Sequence, residues 1–314
     1  MKKVLITGIG GFAGSHLRDF LLTKKDLTVF GTDLRKSDPA QNPKALICTV
    51  DLTDYHGVVK IIAEIKPDYI FHLAALTSPA KSFSHPYDTL ENNIKAEINL
   101  LEAVKNEKLK ARILIIGSGD EYGLVKPEEN PVSENQPLRP TSPYAVSKIT
   151  QDFLALQYAL TYKMDIVRVR PFNHIGPRQS PGFVVCAFAK QIAEIEKGKK
   201  KPVISVGNLS AVRDFTDVHD MVEAYYLTLL KGKTGEVYNL GSGKGYKMKE
   251  ILNLLLSRAH KKITIQIGQS LLRPIDNPIL VCDASKFYKL TGWKPKIALT
   301  DTLDTVLDYW RRKV

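Results

Sequence analysis

Tyr144 and Lys148 stand four residues apart in Ser142-Pro143-Tyr144-Ala145-Val146-Ser147-Lys148. Ser142 is a suitable helix cap and Pro143 suits the first helical position, so both side chains fall on one helix face. A phenol that protonates a carbonyl oxygen, or takes a proton from a hydroxyl, works better when a neighbouring ammonium stabilises its phenolate. The spacing by itself is common on helix surfaces. Here it follows a strand-like run ending Ile115-Ile116-Gly117-Ser118, whose hydroxyl can hold the same oxygen. Ser118, Tyr144 and Lys148 are therefore predicted as one catalytic set.

A second chemical signal lies near the start, where Lys2–Thr7 reads as a strand, Gly8-Ile9-Gly10-Gly11-Phe12-Ala13-Gly14 as a turn and Ser15–Leu22 as a helix. Absent side chains let a pyrophosphate approach the backbone, and the helix start offers unpaired amides and a positive dipole end. The glycines register either as Gly8-x-Gly10-x-x-Ala13 or as Gly8-x-x-Gly11-x-x-Gly14. Asp33, ending a second strand, is placed to accept hydrogen bonds from an adenosine ribose diol and to repel a 2′-phosphate. NAD(H) is favoured. Arg35, beyond Leu34, can reach a 2′-phosphate and keeps NADP(H) open.

The elements that must hold these groups follow from patterning. Lys2–Thr7, Leu27–Asp33, Ala45–Asp51, Tyr69–Ala74, Arg112–Gly117 and Ile166–Pro171 are short apolar runs, predicted as parallel strands buried on both faces, with helices between them. The fold class is α/β, a doubly wound parallel sheet. After Phe172 glycine, proline and basic residues become frequent and strand-like pieces shorten to Val203–Val206, Glu236–Leu240 and Ile263–Ile267. We expect a cofactor domain over 1–172 and a smaller α/β substrate lobe over 173–314, with segments that return to the sheet. The 314 residues suit that size, since single cores rarely grow past roughly 250–300 residues.

Composition bounds the partners. A hydrophobic fraction of 44% with 25% charged residues is that of a folded globular protein, and a net charge of +12 is compatible with nucleic acid, an anionic metabolite or a solvated surface. Basic residues are scattered apart from 197–201 and 311–313, with no aromatic-interleaved stripe, so no nucleic-acid partner is expected. No run approaches the ~20 apolar residues of a membrane span, and glycines interrupt Val4-Leu5-Ile6 too early for a signal peptide. A cytoplasmic location without a membrane partner is expected. Cys48, Cys186 and Cys282 are odd in number and widely separated, which predicts free thiols and no metal site. Ile94, Ile98, Leu101 and Val104, with a second stripe at Ala96, Leu100 and Ala103, and the helix bearing Phe153 to Leu160, suit either a homodimer through 91–106 and 143–162 or a broad contact within one chain.

Together the glycine turn, Ser118, Tyr144 and Lys148 resemble the extended short-chain dehydrogenase/reductases that modify nucleotide sugars. The likeness continues through Arg170-Pro171-Phe172-Asn173-His174-Ile175-Gly176-Pro177, Arg213-Asp214-Phe215-Thr216-Asp217-Val218, Arg273-Pro274 and Gly292-Trp293-Lys294-Pro295. Within that group it is similar to the GDP-4-keto-6-deoxy-mannose reductases, which make GDP-D-rhamnose, through Gly117-Ser118-Gly119-Asp120-Glu121-Tyr122-Gly123 and Phe172–Pro177. The resemblance implies a Rossmann-type fold, an adenine contact at Asp51 and Leu52, and cofactor contacts at Leu73, Ala74 and Ala75, after His72. It implies a sugar or phosphate contact at Asn173 and diphosphate clamps at Arg213 and Arg273, although either arginine can instead hold a carboxylate such as Asp214 or Asp276. Asp120 joins the substrate residues. Phe183, Val184 and Lys190 either line the nucleobase pocket or belong to the core, and His174 is read as a packed or positioning residue.

The activity so implied is reduction of the C4 ketone of a GDP-linked 4-keto-6-deoxy sugar by NAD(P)H. A 4,6-dehydratase is the rival and needs further acid–base groups after Ser118; its relatives carry Asp or Ser and then Glu where this chain has Gly119 and Asp120. A 4-epimerase and a dinucleotide-sensing regulator are more distant readings, and such regulators often lose the catalytic Tyr or Lys.

Overall fold

A computed structural model describes residues 1–34, 45–271 and 277–314. Arg35 and Arg273 lie outside the described residues. Within them, β1 (Lys2–Thr7), β2 (Leu27–Asp33), β3 (Leu46–Thr49), β4 (Tyr69–His72), β5 (Arg112–Ile116), β6 (Ile166–Pro171) and β10 (Val237–Leu240) form a sheet ordered β10-β6-β5-β4-β1-β2-β3. Every pairing in it is parallel. Alternate side chains enter opposite cores because strand side chains alternate faces. Val4 and Ile6 pack with α1 (Phe12–Leu21), α7 (Val218–Lys231) and α9 (Ser285–Thr291), whereas Leu5 packs with α2 (Tyr55–Ile65), α4 (Pro86–Asn106) and α5 (Pro143–Tyr162). The architecture is a Rossmann-type doubly wound sheet.

Two expectations change in detail. Leu46–Thr49 is shorter than the predicted strand and is not buried on both faces, because it is the sheet edge and Leu46 is 61% exposed. Helix α1 begins at Phe12, three residues early, since Gly11 serves as its N-cap. Of the two apolar stripes on α4, Ala96, Leu100 and Ala103 of one and Leu101 and Val104 of the other are consumed inside the chain, and Ile94 and Ile98 are half-buried.

The later half folds in two directions. Helix α7, β10 and α9 return to the sheet. A second core collects α6 (Val184–Glu196), β8 (Val203–Val206), β9 (Val212–Asp217), α8 (Met248–Leu256) and α10 (Leu299–Lys313), with Phe188, Ile192, Leu252, Leu303 and Trp310 inside. Strand β9 pairs with β7 (Asn173–Ile175), β11 (Gly245–Lys247) and β13 (Ile279–Leu280), and β8 pairs in parallel with β12 (Thr264–Ile267). This core stands over the carboxyl ends of the central strands.

Candidate active site

The register of β1 determines where ligands can sit. Thr7 pairs with Thr32 on one side and His72 on the other, which brings the chain exits at Gly8, Asp33 and Leu73 level. In open α/β sheets the crevice beyond the carboxyl ends is the binding site. A cleft of about 1220 Å³ opens there, between the sheet and the second core.

Its cofactor end fits a dinucleotide. Gly8 adopts φ +70°, a conformation favoured by glycine, and a Cβ on Gly14 would collide with the Gly8 carbonyl, so turn and helix touch backbone to backbone. Gly11 has no side chain to cap α1. The helix start is therefore left to an external anion. A Cβ on Gly10 would lie 2.5 Å from Asp33 Oδ2, which accepts the Gly10 N–H at 2.9 Å. Both glycine registers thus have a physical reason. Gly8, Gly11, Phe12, Gly14, Asp33, Leu34, Asp51, Leu52, Leu73, Ala74 and Ala75 all line the cleft. Asp51 Oδ1 accepts from the Thr53 N–H and hydroxyl, both at 2.8 Å, so this carboxylate also shapes its own turn.

Ser118, Tyr144 and Lys148 meet in the same cleft. The Ser142 hydroxyl accepts the Ala145 N–H at 3.1 Å, and the Tyr144 N–H donates to Ser82 Oγ at 3.2 Å, which pins the start of α5. Tyr144 is 7% exposed and Lys148 3%. Burial, helped by the Asp120 charge, pushes the Tyr144 phenol above its usual range, while a polar contact with Ser118 pulls the other way. The phenol is thus held in its protonated form. Lys148 donates to the Ile116 carbonyl at 2.8 Å, and burial lowers its ammonium to about 8 against the pull of Glu97 and Glu121. Ser118 Oγ accepts the Asp120 N–H at 3.1 Å and keeps its own proton to donate.

The acids after Ser118 part company. Glu121 is fully buried: one oxygen accepts the Ser118 N–H at 2.7 Å and the other lies 2.9 Å from Arg170 Nε. It is the reciprocal half of a capping box and points away from the cleft. Asp120 lines the cleft. A Cβ on Gly119 would lie 3.2 Å from the Phe172 ring, so little room exists for a side chain there.

At the substrate end, Asn173, Phe183, Val184 and Arg213 line the cleft. Arg213 donates to the carbonyls of Val212 and Asn277, whereas Asp214 accepts the backbone amides of Ser242, Gly243 and Cys282. Lys190 is not brought to the cleft. It lies 3.7 Å from Glu194 one turn along α6 and over the Trp310 ring, and Gln191 lines the cleft beside it. The helical period turns adjacent residues about 100° apart, which puts Lys190 on the wrong side. His174 stacks on Phe12, and burial lowers its imidazole. Sequence reading passed over Tyr225 in the cleft wall and Glu97 behind Lys148. Glu97 was visible in principle, as an acid four residues after Asn93 and four before Leu101 on a buried helix face.

The family model for GDP-mannose 4,6 dehydratase matches residues 5–306. The chain belongs to that family. GDP-6-deoxy-D-mannose reductase of Pseudomonas aeruginosa is 33% identical over 316 aligned positions, covering 100% of this chain and 98% of that protein. GDP-mannose 4,6 dehydratase 2 of Arabidopsis thaliana is 32% identical, covering 98% of this chain and 86% of that protein. Among solved structures, RMD from Pseudomonas aeruginosa complexed with NADPH superposes with a TM-score of 0.87, 32% identity and complete coverage of both chains. UDP-glucose 4-epimerase of Thermus thermophilus, in complex with NAD, gives 0.87 with 31% identity, covering 99% of this chain and 100% of that one. The GDP-mannose 4,6-dehydratase family thus shares its architecture with proteins of differing sugar chemistry, and the side chains around the sugar must decide among them.

Proposed function

We propose that this family member reduces the C4 ketone of GDP-4-keto-6-deoxy-D-mannose to GDP-D-rhamnose. The observation that carries the reading is the division of labour after Ser118: a protonated phenol faces the cleft while Gly119 carries no acid, Glu121 is turned inward onto Arg170, and Asp120 alone of this segment's acids lines the cleft. A bound nicotinamide supplies the hydride. Tyr144 then donates its proton to the ketone oxygen, Ser118 holds that oxygen with a hydrogen bond, and Lys148 offsets the phenolate charge left behind. A dehydratase must also expel the 6-hydroxyl, which asks for two acid–base groups after Ser118: Gly119 offers none, and Asp120, which lines the cleft, is one carbon shorter than the glutamate of such enzymes.

The glycine turn and the start of α1 would hold the pyrophosphate, and Asp33 the adenosine ribose. Asp33 supports NADH; the Pseudomonas aeruginosa relative with NADPH bound supports NADPH as the second reading. Asn173 and Arg213 are proposed for the sugar and diphosphate, where a guanidinium fork suits paired phosphate oxygens. Phe183 and Val184 are proposed for the base. Incubation with GDP-4-keto-6-deoxy-mannose and either reduced cofactor should give loss of the nicotinamide absorbance and GDP-D-rhamnose. Formation of the keto sugar from GDP-mannose with oxidised cofactor would instead establish a dehydratase.

We also propose a homodimer. Val146, Phe153 and Leu160 recur every seven residues along α5 and stay 41%, 51% and 60% exposed, an apolar seam of the kind a partner helix covers. No helix among the described residues is long and apolar enough to cross a membrane. The free thiols Cys48, Cys186 and Cys282 suit a cytoplasmic setting, which is part of the same proposal.

A further inference from the structure

Glu97 has no solvent exposure, and neither of its carboxyl oxygens has a partner at good hydrogen-bond geometry, the Gln151 side chain making only a weaker polar contact with it. Gln151, equally buried, spends its amide NH2 on the Asn93 carbonyl at 3.0 Å and on His72 Nε2 at 3.5 Å, and its own Oε1 is also without a donor. Turning the amide over would free a donor on the other side only by setting Oε1 against the Asn93 carbonyl, which exchanges one unmatched acceptor for another. Buried acceptors left without donors are costly, and one proton on Glu97 turns one of its acceptors into a donor for Gln151 Oε1, which reduces the deficit. The surrounding charges agree. Asp152 is held by Arg168 at 2.9 Å and Arg170 at 2.5 Å, and Arg170 also faces Glu121, so these guanidiniums are committed elsewhere. His72 is buried and neutral, bonded to Thr7 Oγ1. Lys148 remains as the cation opposite Glu97, but it donates to Ile116 and forms no ion pair with Glu97. Burial, with Asp152 and Glu121, raises the Glu97 carboxyl well above the usual range, while Lys148 and the Gln151 contact draw it down.

We propose that Glu97 is a positioning residue whose protonation is coupled to that of Lys148: its carboxyl holds a proton against Gln151 at neutral pH and releases it to solvent as pH rises, and the carboxylate so formed keeps the ammonium charged. The proposal rests on Lys148 serving Tyr144 in the reduction. Glu97→Gln retains the shape, a donor and an acceptor but can never carry charge. With reduced cofactor and the keto sugar, E97Q should match the parent near neutrality, and its alkaline limb should move down by about one pH unit, leaving kcat/KM roughly tenfold lower at roughly pH 9. A purely structural role would lower activity equally at all pH values. Difference infrared spectra of the NADPH complex, parent minus E97Q, give a readout without turnover. The parent should show the carbonyl stretch of a protonated buried carboxyl that fades as pH is raised. Coincident alkaline limbs, a pH-independent loss, or the absence of that band overturns the proposal. A band that titrates as described in a protein inert toward the keto sugar would support the proton site and reject the substrate instead.

Discussion

In the proposed reduction Tyr144 serves because burial and Asp120 keep its phenol protonated until a carbonyl oxygen takes the proton. Tyr144→Phe removes that proton and almost no volume. We expect kcat to fall by roughly 10²–10⁴-fold, the usual span for a positioned general acid, with NADH affinity unchanged in a fluorescence titration; undiminished turnover would reject the role. Lys148 supplies a pH dependence. Its ammonium is lowered from 10.5 to about 8, so the charged form is present below that value and is lost as pH rises through it. Since the reaction as read needs the cation, kcat/KM should decline above about pH 8. A rate profile flat to the ordinary lysine range would show that the ammonium is dispensable.

Helix α5 carries both residues, so its start sets their reach. Ser142→Ala removes the hydroxyl that accepts the Ala145 N–H. It should cost about 1 kcal/mol in urea unfolding, and it should lower kcat, because Tyr144 follows two positions later. Helix α1 is constrained differently. Gly14→Ala sets a Cβ against the Gly8 carbonyl, so calorimetry should show loss of dinucleotide binding while far-ultraviolet circular dichroism still reports a folded chain. Both elements were legible beforehand. Serine followed by proline, and glycine at strand-to-helix spacing, act on neighbours a few residues away, so their meaning survives without the rest of the fold.

The exposed seam on α5 makes a prediction for the assembly. Parent protein should run as a dimer in light scattering, and Phe153→Arg with Leu160→Arg should halve the mass with the fold intact; a monomeric parent would end the proposal. The central strands, the glycine turn and the Ser118, Tyr144, Lys148 grouping could all be read from the chain, because short apolar runs, caps and spacing are local properties. Periodicity reports that a face is apolar without naming what covers it, so although a return to the sheet was expected, that β10 makes it, at the sheet edge, and that Ala96, Leu100 and Ala103 are used internally emerged only on folding. The same holds for charge. Whether Glu121 faces sugar or Arg170, whether Lys190 reaches the cleft, and whether Glu97 finds a donor depend on segments tens of residues apart meeting in a water-poor interior, where an unmatched partner is expensive.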